Sequence, residues 1–482
     1  MLCITIAQLN LTVGDIEGNV ARMVAAAQQA AREQSDLIVF SELALCGYYP
    51  GDMLDEPPFL QRVQDGLAAL QKASAELPAL HWVVGAPTSA TGPGKRLHNS
   101  LLVLQGGAVR LQYAKQLLPT YNIFDERRHF EPGPDMAKVL RIGGTQVGLL
   151  VCEDGWNDHG ADYATNPFER LRDAAPDLVI SINASPSHVG KREQRYQIFG
   201  GSSRRHGLPI LYVNQVGGHD QVVYDGASFA AEPEAGIVFE APRFVEDLRT
   251  LRFDNGHFLT ADGNAPVRVP AEGLPTMEFY RQQIVLGLRD YARRCGFKQV
   301  VVGSSGGIDS ALTLALAAQA LGPENVVGVT MPSSYSSSGS VDDSVALCQN
   351  LGVKLQTHPI AELVAGYAQQ FEGSFGQPLQ GPQARRHRHP GSLDTFSSDD
   401  DRTNHSFAEV IGNGAVSMLV NLDPTARLTC YYLSKNGEYR TVPVMVGDKY
   451  FAGTGFLELT TSEALLKNKD RLQAEIFDPE EA

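Results

Sequence analysis

A chain of 482 residues exceeds what one hydrophobic core usually spans, so two or three domains are expected. With 43% hydrophobic and 20% charged residues it has the make-up of a soluble globular protein, and no stretch has the length of a membrane span. A net charge of −15 argues against a nucleic-acid backbone as partner, and six scattered cysteines without a Cys-x-x-Cys pair fit a reducing compartment and exclude an obvious zinc site.

The opening Met1-Leu-Cys-Ile-Thr-Ile-Ala-Gln8 lacks the basic start and the long apolar run of a signal peptide, and with the scattered cysteines a cytoplasmic location is expected. Residues 2–9, 37–40, 82–84, 100–104, 109–113, 146–151, 178–182 and 210–213 are apolar or β-branched runs that predict strands. Residues 18–33, 59–76 and 192–206 carry helix formers at helical spacing. Strands and helices interleave, which predicts an α/β class or a layered sandwich up to about residue 265.

Three residues stand just beyond predicted strands, where reacting groups are often displayed. Glu42 follows Leu37-Ile-Val-Phe-Ser41, Lys115 follows the strand ending at Tyr113, and Cys152 follows Val147-Gly-Leu-Leu-Val151. Taken singly, each has an ordinary reading. Such a Glu or Lys is usually solvated, and a Cys after an apolar run is usually a small core residue. Together they carry a chemistry. A thiol that is mostly protonated near neutral pH needs a base, a carboxylate can supply it, and an ammonium can stabilise the oxyanion formed on an amide. Cys46, in the loop after Glu42, reads as structural.

The three lie within Phe40-Ser-Glu-Leu-Ala-Leu-Cys-Gly-Tyr48, Ala114-Lys-Gln-Leu-Leu-Pro-Thr-Tyr-Asn-Ile-Phe-Asp-Glu126 and Leu150-Val-Cys-Glu-Asp-Gly-Trp156. In that order they resemble the nitrilase/amidase superfamily over residues 1–265, which implies an αββα sandwich. Asn183-Ala-Ser-Pro-Ser-His-Val-Gly-Lys-Arg192 and Tyr212-Val-Asn-Gln-Val-Gly-Gly218 resemble its glutamine-amidase branch. That resemblance implies glutamine as substrate, Glu42 as base, Lys115 as oxyanion partner, Cys152 as nucleophile, and Tyr121, Ser185 and Lys191 as glutamine contacts. Lys191 has a charge reason, as partner for the substrate α-carboxylate. Ser185 reads equally well as a turn residue before Pro186.

Residues 266–277, with Pro266, Pro270 and Pro275, read as a linker. A helix over 278–295 then leads to Lys298-Gln-Val-Val-Val-Gly-Ser-Ser-Gly-Gly-Ile-Asp-Ser310. Its three valines predict a strand, Gly303, Ser304, Ser305, Gly306 and Gly307 form a loop, and Ile308 opens a helix to about Leu321. Strand, Gly/Ser loop and helix start is a geometry for anions, with backbone N–H groups, a positive helix end and the Ser305 and Ser310 hydroxyls facing the ligand. The loop has no lysine, so it is no Walker A sequence. Asp309 offers a carboxylate where a phosphate-bound Mg²⁺ would sit. Ser305-Gly-Gly-Ile-Asp-Ser310 resembles the PP-loop of ATP pyrophosphatases, which implies ATP as substrate. Residues 325–331 predict a second strand, and another is expected after Leu351-Gly-Val-Lys-Leu355. The alternation predicts a doubly wound parallel sheet over 278–375. The Ser-rich stretch Met331–Ser340, followed by Val341-Asp-Asp-Ser344, sits just after the second strand. It reads as an ordinary Ser-rich loop or, as the resemblance to a PP-loop domain implies, as a segment that could line the ATP pocket, and its role stays open.

The two motif sets in this order resemble glutamine-dependent NAD⁺ synthetases. The resemblance implies that deamido-NAD⁺ is adenylated by ATP with Mg²⁺ and then amidated by ammonia from glutamine, in a homo-oligomer. It fades beyond residue 376, where only Gln383-Ala-Arg-Arg386 remains as a trace. Residues 376–405 are polar and predict a disordered linker, with His387 and His389 solvated. Residues 406–482 predict an atypical β-rich tail. There 428–433 and 439–446 form a hairpin around Asn436-Gly437, and a helix follows over 462–477. The alternative implied by this divergence is a glutaminase whose synthetase half is inactive.

Overall fold

The computed structural model describes residues 1–158, 162–220, 222–267, 273–333 and 336–375 and, beyond them, 415–421, 427–433, 439–442, 444–446 and 449–451. They fall into two compact units, Met1–Ile360 and Ala361–Ala482. Among the described residues no helix is long and apolar enough to cross a membrane.

Most of the first unit is two stacked sheets. One runs β15-β14-β1-β2-β3-β4-β5, from His257–Leu259, Asp247–Asp254, Leu2–Gln8, Leu37–Val39, His81–Ser89, Leu97–Gln105 and Ala108–Ala114 respectively. The other runs β13-β12-β9-β8-β7-β6, from Gly236–Glu240, Phe229–Glu232, Ile210–Asn214, Leu178–Asn183, Thr145–Val151 and Val139–Ile142. A hairpin of β10 (Val216–His219) and β11 (Val222–Asp225) stands apart. Side chains alternate as a pleated strand requires. In β2, Leu37 and Val39 enter the layer between the sheets, where Ile4, Val83, Leu149, Ile180 and Leu211 also meet. Ile38 points the other way, against α1 (Ile16–Arg32) and α2 (Pro57–Glu76), through Met23, Ala27, Val63 and Leu70. On the far side α3 (Pro167–Ala174) covers the second sheet through Phe168 and Leu171. The layers are therefore helix, sheet, sheet, helix, as the resemblance implied.

The helix expected over 192–206 is interrupted. It consists of α4 (Lys191–Arg195), a wide π turn over Tyr196–Gly200, and α5 (Gly201–His206). Gly200 and Gly201, poor helix formers, mark the transition. The wide turn presents Phe199, whose ring lies where a Cβ on Gly155 would meet it at 2.5 Å.

After α6 (Thr276–Arg294) come β16 (Val300–Gly303), α7 (Ile308–Leu321), β17 (Val326–Thr330), α8 (Ser338–Leu351) and β18 (Lys354–Thr357). The three strands are parallel and adjacent in chain order. Leu314, Ala317, Val326, Cys348 and Val353 form their core, with Val300 and Val302 turned toward it. Val301, on the opposite face, is 71% exposed, so among the described residues this sheet is covered on one side. The Ser-rich stretch is shorter as a loop than its composition suggested. Ser337 caps α8 by accepting from Ser340 N at 3.1 Å, so everything from Ser338 onward is helix. Asp290 of α6 ties this part to the sandwich, accepting from Asn10 Nδ2 at 2.7 Å and Gly218 N at 2.8 Å.

The second unit contains α9 (Ala361–Phe375) and the antiparallel strands β19 (Ala415–Asn421), β20 (Arg427–Leu433) and β21 (Tyr439–Val442), with β22 (Val444–Val446) paired to β23 (Lys449–Phe451). The expected hairpin is there, with Leu433 opposite Tyr439. Where one second arm over 439–446 is expected, there are two strands, β21 paired with β20 and β22 paired with β23. The Asn436-Gly437 turn, the polar stretch with His387 and His389, and the 462–477 helix lie outside the described residues.

Candidate active sites

Glu42, Lys115 and Cys152 follow β2, β5 and β7 directly or within three residues, and the sandwich brings these strand ends together. Glu42 and Lys115 are fully buried. Lys115 Nζ donates to Glu42 Oε1 at 2.7 Å and, equally closely, to Glu126 Oε1. Asn99 Nδ2 donates to Glu42 Oε1 at 2.8 Å, and Ala184 N to Glu42 Oε2 at 3.0 Å. Tyr48 donates to Glu126 Oε1 at 2.7 Å. Two carboxylates thus share one ammonium in a dry setting. Burial alone would pull the lysine down, but Glu126 and Glu42 hold it well above its ordinary value, so it stays charged. Burial pushes the Glu126 carboxyl up, with Lys115 pulling against it.

Cys152 is buried at a left-handed φ of 44°, which turns its side chain sharply off the strand line. Burial, followed by the negative charge of Glu42, pushes its thiol well above the ordinary range, while Lys115 opposes. A thiol in this state keeps its proton until a base removes it. Cys46 is also buried, with its thiol pushed up by burial, and its Sγ bonds only backbone carbonyls.

The three glutamine candidates surround Cys152 unevenly. Tyr121 Oη donates to Glu153, next to the cysteine, at 3.0 Å. Lys191 Nζ lies 3.8 Å from the Trp156 ring centroid, and burial, then the Arg195 charge, pushes it down to about 8. Ser185 is buried and its Oγ accepts from Arg195 Nε at 3.1 Å, an arginine itself paired to Asp225 at 2.8 Å. Ser185 is thus held in place by the fold.

Four side chains of this site escaped the sequence reading. Glu126 and Asn99 complete the ion cluster. Glu153 also accepts from Tyr163 at 3.0 Å. Asp154 gathers Tyr113 Oη, Gln116 N and Leu117 N at 2.8, 2.9 and 2.8 Å, binding the cysteine loop to the segment after Lys115. Burial raises Asp154 to about 7. Glu126, Glu153 and Asp154 lie inside quoted motifs and Asn99 does not, and only their convergence in space distinguishes them from surface polar residues.

The second candidate site is open. Gly303 ends β16, Ser304 N donates to Val329 O at 2.7 Å, and Ser304 Oγ bonds Ser344 Oγ at 2.8 Å, anchoring the loop to β17 and α8. Gly306 has φ +79°, and a Cβ there would stand 2.4 Å from Ser340 O. Ser305 Oγ and Ser310 Oγ bond each other at 3.1 Å, and Ser310 Oγ donates to Gly307 O. In this state they shape the loop. The N–H groups of the first turn at Ile308, Asp309 and Ser310 have no partner within the helix, which leaves a positive end facing solvent. Ile308 is 81% exposed.

Residues 3–256 match the carbon-nitrogen hydrolase family model and residues 280–389 that of NAD synthase. A glutamine-dependent NAD(+) synthetase of Synechocystis sp. is 39% identical over 398 residues, covering 80% of this chain and 70% of its own. Another, of Acinetobacter baylyi, is 35% identical over 375 residues, covering 77% of this chain and 65% of its own. Among solved structures, a glutamine-dependent NAD+ synthetase from Acinetobacter baumannii in complex with ADP matches with a TM-score of 0.71 and 31% identity, over 86% of this chain and 73% of that one. The chain spans about two thirds of the length of these curated relatives.

Proposed function

The chain belongs to the glutamine-dependent NAD⁺ synthetase family, and we propose that it makes NAD⁺ by joining glutamine hydrolysis to the amidation of adenylated deamido-NAD⁺. The observation that carries the amidase half is the buried Glu42–Lys115–Glu126 cluster beside a protonated Cys152. Glu42 takes the Sγ proton as sulfur attacks the glutamine side-chain amide. The oxyanion forms beside the Lys115 ammonium and a backbone N–H after Cys152. The C–N bond breaks, nitrogen takes the proton from Glu42, and ammonia leaves a thioester. Glu42 then takes a proton from water, whose attack releases glutamate and restores the thiol. Glutamine as a free amino acid carries two charges. Lys191 suits its α-carboxylate, and Glu153 with Tyr121 suits its α-ammonium, while Ser185 lines the same pocket.

In the synthetase half, Gly303 to Gly307 and the N–H groups of Ile308, Asp309 and Ser310 would hold ATP phosphates. Asp309 is exposed and, among the described residues, in no ion pair, a hard oxygen donor that fits Mg²⁺ bridging to phosphate. Bound there, Mg²⁺ would offset phosphate charge during adenylation. The remaining nucleotide contacts belong to other residues. We place the enzyme in the cytoplasm as a homo-oligomer, in keeping with its free described cysteines.

The test is turnover of the purified full chain with glutamine, ATP, Mg²⁺ and deamido-NAD⁺. NAD⁺, AMP and pyrophosphate should appear together with glutamate. Glutamate without NAD⁺ would confine the activity to the amidase half, and neither product would overturn the reading.

A further inference from the structure

Away from both sites, Asp52 and Asp55 lie on the helical turn Gly51–Asp55, and His129 directly follows the turn Glu126–Arg128. One ligand atom from each falls within 4.8 Å of the other two. The carboxylates are exposed, but the imidazole is only 1% exposed. His129 Nε2 is 3.2 Å from Asp52 Oδ1 and 3.4 Å from Asp55 Oδ2, yet among the described residues it makes no hydrogen bond.

The ring is held from its other side. Tyr49 Oη lies 3.3 Å from the Asp125 carbonyl and 2.5 Å from His129 Nδ1, which leaves Nε2 as the ring atom turned toward the two carboxylates. Nε2 faces two carboxylate oxygens whose negative charge favours a cation. Arg128 offsets only part of this charge. Its guanidinium meets Asp52 Oδ1 at 2.9 Å and Oδ2 at 3.0 Å, so it can keep Oδ2 while Oδ1 turns to another partner.

We propose that Asp52, Asp55 and His129 form a site for one first-row divalent cation, with Zn²⁺ the best match. One imidazole nitrogen and two carboxylate oxygens are its ligand types, and solvent completes the shell on the exposed side. The bond between His129 Nδ1 and Tyr49 Oη is the outer contact that orients a ligating histidine. The ion clips the loop after Tyr49 to the segment after Glu126. Tyr48, just before that loop, donates to Glu126, which holds Lys115, so the clip steadies the amidase cluster from outside.

The test is titration of the metal-free full chain, carrying Cys152→Ala to remove a competing thiol, with Zn²⁺ by calorimetry and with Co²⁺ by visible absorption. The expected result is one ion per chain with a Kd of about 1 µM or tighter, a raised Tm, and a cobalt spectrum without a thiolate charge-transfer band. Asp55→Asn, an exposed change, and His129→Gln should each weaken binding at least about tenfold. The proposal is overturned if no ion binds. It is equally overturned if the cobalt spectrum shows thiolate ligation, or if both variants bind Zn²⁺ as tightly as the parent while keeping its circular dichroism.

Discussion

The two candidate sites both lie at the C-terminal ends of strands, but they are enclosed in opposite ways. Around Cys152 the charges are inside the protein, with Glu42, Lys115 and Glu126 fully buried and bonded to one another. A buried charge without its partner costs several kcal/mol, so such a cluster must be complete in the chain that builds it. At the phosphate loop the working groups are backbone N–H donors at a helix start, and water satisfies them until a ligand arrives. That site can be folded and still lack part of its ligand's surroundings. The amidase chemistry is therefore preorganised, and the nucleotide chemistry is assembled on binding.

The largest expected effect separates the halves. Cys152→Ala should lower glutamate release by about 10⁴-fold or more, since nothing else in the cluster can form the thioester. NAD⁺ formation driven by added ammonium chloride should be unchanged, measured in the same preparation. A variant that lost both would show that the closed site also supports the open one.

Gly306→Ala probes the other side. The residue would have to hold φ +79° with its Cβ 2.4 Å from a backbone oxygen, so the loop must open. NAD⁺ formation should fall about 10²-fold through a raised KM for ATP, while glutamate release stays within about twofold of the parent. Equal losses in both assays would remove the distinction between the sites.

Glu126→Gln tests whether the closed cluster is tuned for chemistry or for stability. The cluster holds two carboxylates against one ammonium, so the amide balances the charge. Tm should stay level or rise, and the glutaminase kcat should fall about tenfold because Lys115 loses one of the anions that keep it charged. A large drop in Tm would make Glu126 a structural counter-ion instead.

The same contrast governs what could be read from the sequence. Glu42, Lys115 and Cys152 were legible because each follows an apolar run that predicts its strand. The phosphate loop was legible because its donors are consecutive residues. Glu126 and Asn99 were not, because their partners are reached across the fold. Asn99 meets Glu42 from 57 positions away, through the pairing of β3 with β4. The start of α8 is hard to see because its cap, Ser337, is one serine in a serine-rich run. The π turn before α5 has no period of its own to detect. The sandwich was legible from its motifs and run lengths.

The smallest effect is a pH dependence, and its two readouts move in opposite directions. Lys191 sits near pH 8 rather than 10.5 because burial, helped by Arg195, disfavours its ammonium. Between these values the unfolded chain binds the proton and the folded chain does not, so this group's contribution to stability rises as pH climbs through 8. If the ammonium holds the glutamine α-carboxylate, the same loss of charge weakens binding. The KM for glutamine should rise up to about tenfold from pH 7 to pH 9, with kcat little affected by this residue. Lys191→Met should start at the high KM and show no such rise. A KM that climbs equally in parent and variant would assign the carboxylate to another group.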